Sequence, residues 1–253
     1  MSKKWLKVAL MVTAIATGTS IQVDAETVLY VPQDDRPVSL QYTVDTAKAA
    51  GMTVLTPPQN LISGKTYKGQ ADQIWNWVEQ NAGRADVMVL STDTLIYGGL
   101  VDSRKHNLPL STLENRLKRI EALKANHKNI RIYGFGTVMR SPRASGGGTE
   151  PSYYADYGPT IFQIAALQDK LDAGTLTQAE TQKLMSLQAS VPVEYLQDWF
   201  SRRQKNMQVN KDLIDEARNG VFAYFALGHD DTSQLSQSAL EGRYLNQYSK
   251  GIP

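Results

Sequence analysis

The sequence predicts an α/β fold of parallel βα repeats, arranged as an open three-layer sheet with a helical insertion; an incomplete TIM-like (β/α)8 barrel is the alternative. Three observations point there. Short apolar runs alternate along the chain with longer amphipathic stretches, the pattern of strands alternating with crossover helices. The short runs are nearly continuous in Val, Leu, Ile and Met, as strands covered on both faces must be. Three of them end in acids: Val28-Leu29-Tyr30-Val31 before Gln33-Asp34-Asp35-Arg36-Pro37, Val87-Met88-Val89-Leu90 before Ser91-Thr92-Asp93-Thr94, and Val221 to Leu227 before Gly228-His229-Asp230-Asp231. Parallel α/β folds place their sites at such strand exits.

Taken in order, Thr27 to Val31 is the first strand, and a helix from Val38 to Ala50 follows, stopped by Gly51. Met52 to Leu55 is the second strand, ended by Pro57-Pro58. Ala71 to Asn81 is a helix with Ile74, Trp77 and Val78 on one face, and Val87 to Leu90 is the third strand. Ser111 and Glu114 have the spacing of a capping box, and Leu113, Leu117, Ile120 and Leu123 form the stripe of the helix they would start. Ile130 to Phe135 is the fourth strand. Residues 160–219 break the rhythm and read as a helical insertion between core strands. Within it, Thr177 and Glu180 have capping-box spacing. Pro192 suits the first turn of a long helix carrying Val193, Leu196, Phe200, Met207, Ile214 and Ala217 on one face. Val221 to Leu227 is the fifth strand, and a last helix spans Ser238 to Gln247. Tyr97–Pro109 and Thr137–Pro159 read as functional loops, the second long enough for a lid or binding loop.

Residues 1–25 read as a secretory signal: Lys3, Lys4 and Lys7 form a basic region, Val8 to Ala16 an apolar core, and Val23-Asp24-Ala25 a small-x-small cleavage site. Residues 26–253 then form the α/β domain, secreted or held in the cell envelope. The apolar core is too short to span a bilayer, for which about 20 residues are needed. Without the signal, 27 basic and 25 acidic residues become 24 of each. A balanced chain with no long basic run does not point to nucleic acid. The absence of cysteine excludes disulfides, thiolate metal sites and a Cys nucleophile.

Several familiar sites are missing. There is no Gly-x-Ser-x-Gly elbow, no His-Glu-x-x-His, and Gly64-Lys65-Thr66 lacks the first glycine of a P-loop, since position 59 is Gln59. The candidates are therefore acids and arginines. Asp34, Asp35, Asp93, Asp230 and Asp231 all follow strands and are the catalytic candidates. Carboxylates in different environments can divide acid from base or nucleophile work; they can also hold Mg²⁺ or Ca²⁺, bind sugar hydroxyls, or cap the next helix. No dedicated metal site is predicted, and no cofactor is required. Arg36, Arg104, Arg140 and Arg143 are candidates for binding an acidic group of a substrate, or for neutralising the aspartates. Tyr97, Tyr153, Tyr154 and Tyr157 can stack on sugar rings or pack the loops, and His229 is either an acid/base or a structural residue.

Read together, Val31-Pro32-Gln33-Asp34-Asp35-Arg36-Pro37-Val38, Ser91 to Arg104, Arg140-Ser141-Pro142, Leu227 to Ser233 and Ser236-Gln237-Ser238 resemble an uncharacterised bacterial family, the domain of unknown function 4127 proteins. The resemblance implies no reaction and no catalytic residues. It implies longer relatives that continue past Asp230-Asp231, so that the chain is truncated, and a basic residue where this chain has His229. Three functions are expected as alternatives: an exported hydrolase of a carbohydrate or cell-envelope polymer, a non-catalytic extracellular protein that binds a sugar or a metal, and a truncated chain with no activity of its own.

Overall fold

The computed structural model describes residues 25–144, 147–230 and 233–251; the expected signal, 1–25, lies outside them except for its last residue, and so does Asp231. Five strands form one open, all-parallel sheet in the order β2-β1-β3-β4-β5. They are β1 (Thr27–Val31), β2 (Thr53–Leu55), β3 (Val87–Ser91), β4 (Arg131–Val138) and β5 (Tyr224–His229). The sheet does not close among the described residues, so the expected open sheet is realised and the barrel alternative is not.

Nine helices are described: α1 (Gln41–Ala49), α2 (Ala71–Asn81), α3 (Thr92–Tyr97), α4 (Leu100–Lys105), α5 (Leu110–Asn126), α6 (Tyr154–Asp172), α7 (Gln178–Ala189), α8 (Val193–Arg218) and α9 (Gln237–Tyr248). Strand side chains alternate between faces. Leu29, Val31, Met88, Leu90 and Ile132 point to one face, where they form the main core with Ile74, Trp75 and Val78 of α2, the α5 stripe, and Val209 and Leu213 of α8. Each such side chain, fully buried, contributes about 1.5–3 kcal/mol. Val28, Tyr30, Val87, Val89 and Tyr133 point to the other face, where α1 lies over them through Thr43, Val44 and Ala47. Helices therefore flank both faces, unequally. A second core, built on Tyr154, Ile161, Leu184 and Trp199, joins α6, α7 and α8.

Several expectations shift. The stretch expected as a loop after β3, Tyr97–Pro109, contains the short helix α4, which follows α3 after Gly98 with φ of 110°, a conformation glycine adopts freely. β5 begins three residues later than expected. Val221 and Phe222 belong to the core, Phe222 lying where a side chain at Gly134 would otherwise sit, and pairing with β4 starts at Tyr224. α5 starts at Leu110 with Pro109 as its cap residue rather than Ser111, whereas the capping box of Thr177 and Glu180 is formed.

The buried face of α8 differs most. Val193 is exposed, and the face that turns inward carries Trp199, Arg202, Arg203, Asn206, Val209, Asn210, Leu213 and Ile214. Arg202, Arg203 and Asn206 are held there by neighbouring backbone and side chains. Asn206 donates to the Ser103 carbonyl at 2.8 Å, and Arg202 Nε to the His106 carbonyl at 2.7 Å. Arg203 donates to the carbonyls of Met139 and Arg140 and to both oxygens of Glu241. A hydrophobicity stripe cannot register a face built this way.

Candidate functional site

In a sheet of order 2-1-3-4-5, the connections from β1 and β3 leave in opposite directions, and ligands bind in the crevice outside the carboxyl ends at that switch point. Asp34 follows β1 and Asp93 follows β3, so the sequence places an acid on each side of it.

The two exits are tied together. Ser91 accepts the Thr94 amide and starts α3. The Thr94 hydroxyl donates to the carbonyls of Pro32 and Gln33 at 2.6 and 3.1 Å. From the same corner, Gln33 Nε2 donates to Asp93 Oδ2 at 3.0 Å, and the Thr137 hydroxyl at the end of β4 donates to the same oxygen at 2.8 Å. Asp93 is almost wholly buried. Burial pushes its carboxyl up to about 6, against the opposing pull of Gln33, Thr137 and the more distant Arg104. Neither hydrogen-bond donor offsets the loss of water around the charge.

Asp34 is also buried, clasped by Arg36: the guanidinium Nε donates to Oδ2 at 2.8 Å and the Arg36 amide to Oδ1 at 3.2 Å. This hydrogen bond, with the nearby charges of Asp34, Asp230 and Asp35, holds Arg36 above its ordinary value. Asp35 turns the other way and accepts from the Tyr67 hydroxyl.

Arg104 forms the centre of the network. It is buried on α4, pairs with Asp230 at the end of β5, and lies 3.8 Å from Glu150. Burial lowers its basicity, while Asp230, Glu150 and Asp93 oppose that effect. Its Nε has no hydrogen-bond partner. Arg140 pairs with the same Glu150 and donates to the Thr149 hydroxyl at 2.7 Å. The exits of β1, β3, β4 and β5 thus contribute Asp34, Arg36, Asp93, Thr137, Arg140 and Asp230 to one polar cluster.

The sequence pattern of the family described as protein of unknown function (DUF4127) matches residues 28–252. The chain belongs to the DUF4127 family. No curated protein and no solved structure matches it.

Other predicted residues of this DUF4127 chain lie apart from the cluster. Tyr97 is buried, its ring stacked on His106 at 5.0 Å and its hydroxyl unpartnered. Arg143 lies over the Phe162 ring on α6. Tyr153 and Tyr157 pack on Tyr195, and Tyr154 on Trp199, in the second core. His229 sits against Gly242, where a Cβ would fall 2.0 Å from its ring. Among the described residues, no group of three or more His, Asp or Glu side chains is placed to hold a metal ion, and no helix is long and apolar enough to cross a membrane.

Three contributors were not among the candidate site residues: Gln33, Thr137 and Glu150. Gln33 and Thr137 are neutral residues beside more conspicuous charges. Their signal is positional: Gln33 precedes Asp34 at the β1 exit, and Thr137 stands near the end of β4, three residues before Arg140.

One support of the site is steric. The segment before α2 crosses the α3–α4 junction, and Gly69 donates to Asp102 Oδ2 at 3.0 Å. A Cβ on Gly69 would fall 1.9 Å from the Gly98 carbonyl oxygen, a backbone atom that cannot swing aside. Gly69→Ala is expected to lower stability by about 1–3 kcal/mol, measured by urea unfolding; unchanged stability would show that the junction yields freely.

Proposed function

We propose that this protein is an exported hydrolase acting on a carbohydrate or cell-envelope polymer, with Asp93 as its acid/base. The observation that carries the reading is the buried Asp93 carboxyl at the switch point, pushed up to about 6. An acid that titrates close to neutrality can both give and take a proton at working pH. Arg36 is half-exposed on Asp34 at the neighbouring β1 exit, and Arg104 has an unused N–H; both suit an acidic substituent of the substrate. The basic and apolar residues at 1–25 support export.

A panel of envelope glycans assayed for new reducing ends tests this. Turnover by the wild-type chain that Asp93→Asn removes is the expected result. Inactivity on the whole panel, shared by a second DUF4127 protein, would overturn it. The runner-up is a non-catalytic sugar-binding protein, supported by the mutual pairing of Asp34 with Arg36 and Asp230 with Arg104. It would give ligand-dependent melting with no turnover.

A further inference from the structure

The sheet edge that holds Asp34 and Asp93 continues sideways to β2, the neighbour of β1. There the chain leaves β2 through Thr56-Pro57-Pro58-Gln59 and runs under the start of α1. Between them lies an open cavity of about 580 Å³, within the range of small-ligand sites. Thr56 is two strands from the β3 exit, about 10 Å away at ordinary strand spacing.

The lining of the cavity is two-sided. Leu40, Val44, Pro57, Pro58 and the Trp77 indole supply an apolar wall, and the side chains of Asp35, Gln41, Asp45 and Gln59 supply acceptors and donors. Gln41, Val44 and Asp45 share one face of α1 by their spacing. No Lys, Arg or His lines the cavity, so nothing there would compensate a buried anion. A flat apolar face with a rim of short hydrogen-bonding groups matches a sugar ring, whose C–H face stacks on an indole while its hydroxyls donate to carboxylates.

We propose that this cavity is a subsite for a sugar ring bearing no acid group. The proposal deepens the hydrolase reading and rests on it for the polymeric nature of the ligand. Asp35 joins the two regions: it lines the cavity and adjoins Asp34, which Arg36 holds. A chain laid along the sheet edge would present a neutral residue at Trp77 and an acidic substituent at Arg36 and Arg104.

The test uses the full chain with ¹⁵N-labelled tryptophan, titrated with a β-1,4-linked N-acetylglucosamine trimer, with maltotriose and with trigalacturonate. The Trp77 indole resonance is expected to move with at least one neutral trimer and not with trigalacturonate. Asp45→Ala and Gln41→Ala, both at exposed helix positions, are expected to weaken that binding about tenfold. Trp77→Leu should also weaken it, but Trp77 packs on the main core, so the two exposed substitutions decide. No shift at Trp77 with either neutral trimer, or affinity unchanged in both exposed variants, would overturn the subsite. The two readings fail separately. Turnover that ignores Asp45→Ala and Gln41→Ala removes the subsite and leaves the hydrolase. Binding that follows those variants without any turnover removes the hydrolase and leaves the subsite.

Discussion

Asp93→Asn is expected to abolish turnover and, at neutral pH, to make the protein more stable. The kinetic part follows from the proposed role: removing a general acid/base costs about 10²–10⁴ in rate. The stability part follows from linkage. The folded protein holds the Asp93 proton up to about 6, whereas the unfolded chain releases it near the ordinary 3.8. The favourable contribution is therefore fully present below the ordinary value and is lost as pH rises through about 6. Above that, the fold carries an ionised buried carboxylate at a cost of roughly 3 kcal/mol. An amide has no charge to bury. Its oxygen can still accept from both Gln33 and Thr137, which meet on a single carboxylate oxygen. Urea unfolding at pH 8 should show the variant more stable by about 1–3 kcal/mol, with the difference gone near pH 4. A variant equally destabilised at both values would show that the fold does not raise the Asp93 carboxyl, and would remove the basis of its proposed catalytic role.

Arg203→Met is expected to produce the largest loss of stability, about 3–5 kcal/mol. The Arg203 side chain is 1 % exposed and grips Glu241 of α9 with two hydrogen bonds. It also holds the Met139 and Arg140 carbonyls at 2.6 and 2.9 Å. Removing it leaves the Arg140 carbonyl without this donor and the Glu241 carboxylate with Gln237 at 3.1 Å but no cation, while the Met139 carbonyl keeps the Ser238 hydroxyl; the uncompensated buried charge is the costly part. Adding Glu241→Leu should therefore recover a substantial share of the loss, and the double-mutant cycle measures the coupling. A single-variant loss below about 1 kcal/mol would mean that water replaces the guanidinium. Because Arg203 fixes the backbone of Arg140, the variant should also loosen the pairing of Arg140 with Glu150.

The sheet was legible from the sequence because its central strands β1 and β3 are built on nearly uninterrupted apolar runs and lie where those runs are. The α5 stripe was legible because Leu113, Leu117, Ile120 and Leu123 repeat at helical spacing and all are buried. α8 was legible as a helix but not in its orientation: Arg202, Arg203 and Asn206 face inward because the residues 103–107 and 139–140 present carbonyls to them, and tertiary partners leave no periodic trace. The site divided in the same way. Asp34, Asp93, Arg104 and Asp230 were conspicuous as charges at strand exits. Gln33, Thr137 and Glu150 became visible only once β1, β3 and β4 stood side by side.

α1 lies over the second sheet face through Thr43, Val44 and Ala47, and none of its residues is fully buried. Elements with so little apolar burial open well before the body of a protein unfolds. Yet α1 supplies Gln41, Val44 and Asp45 to the wall of the cavity at the β2 exit. The cavity therefore joins a rigid floor, made by the sheet edge and α2, to a wall that can detach. A ligand held there would spend part of its binding energy keeping α1 in place, and in return would slow amide exchange along that helix more than anywhere else in the chain.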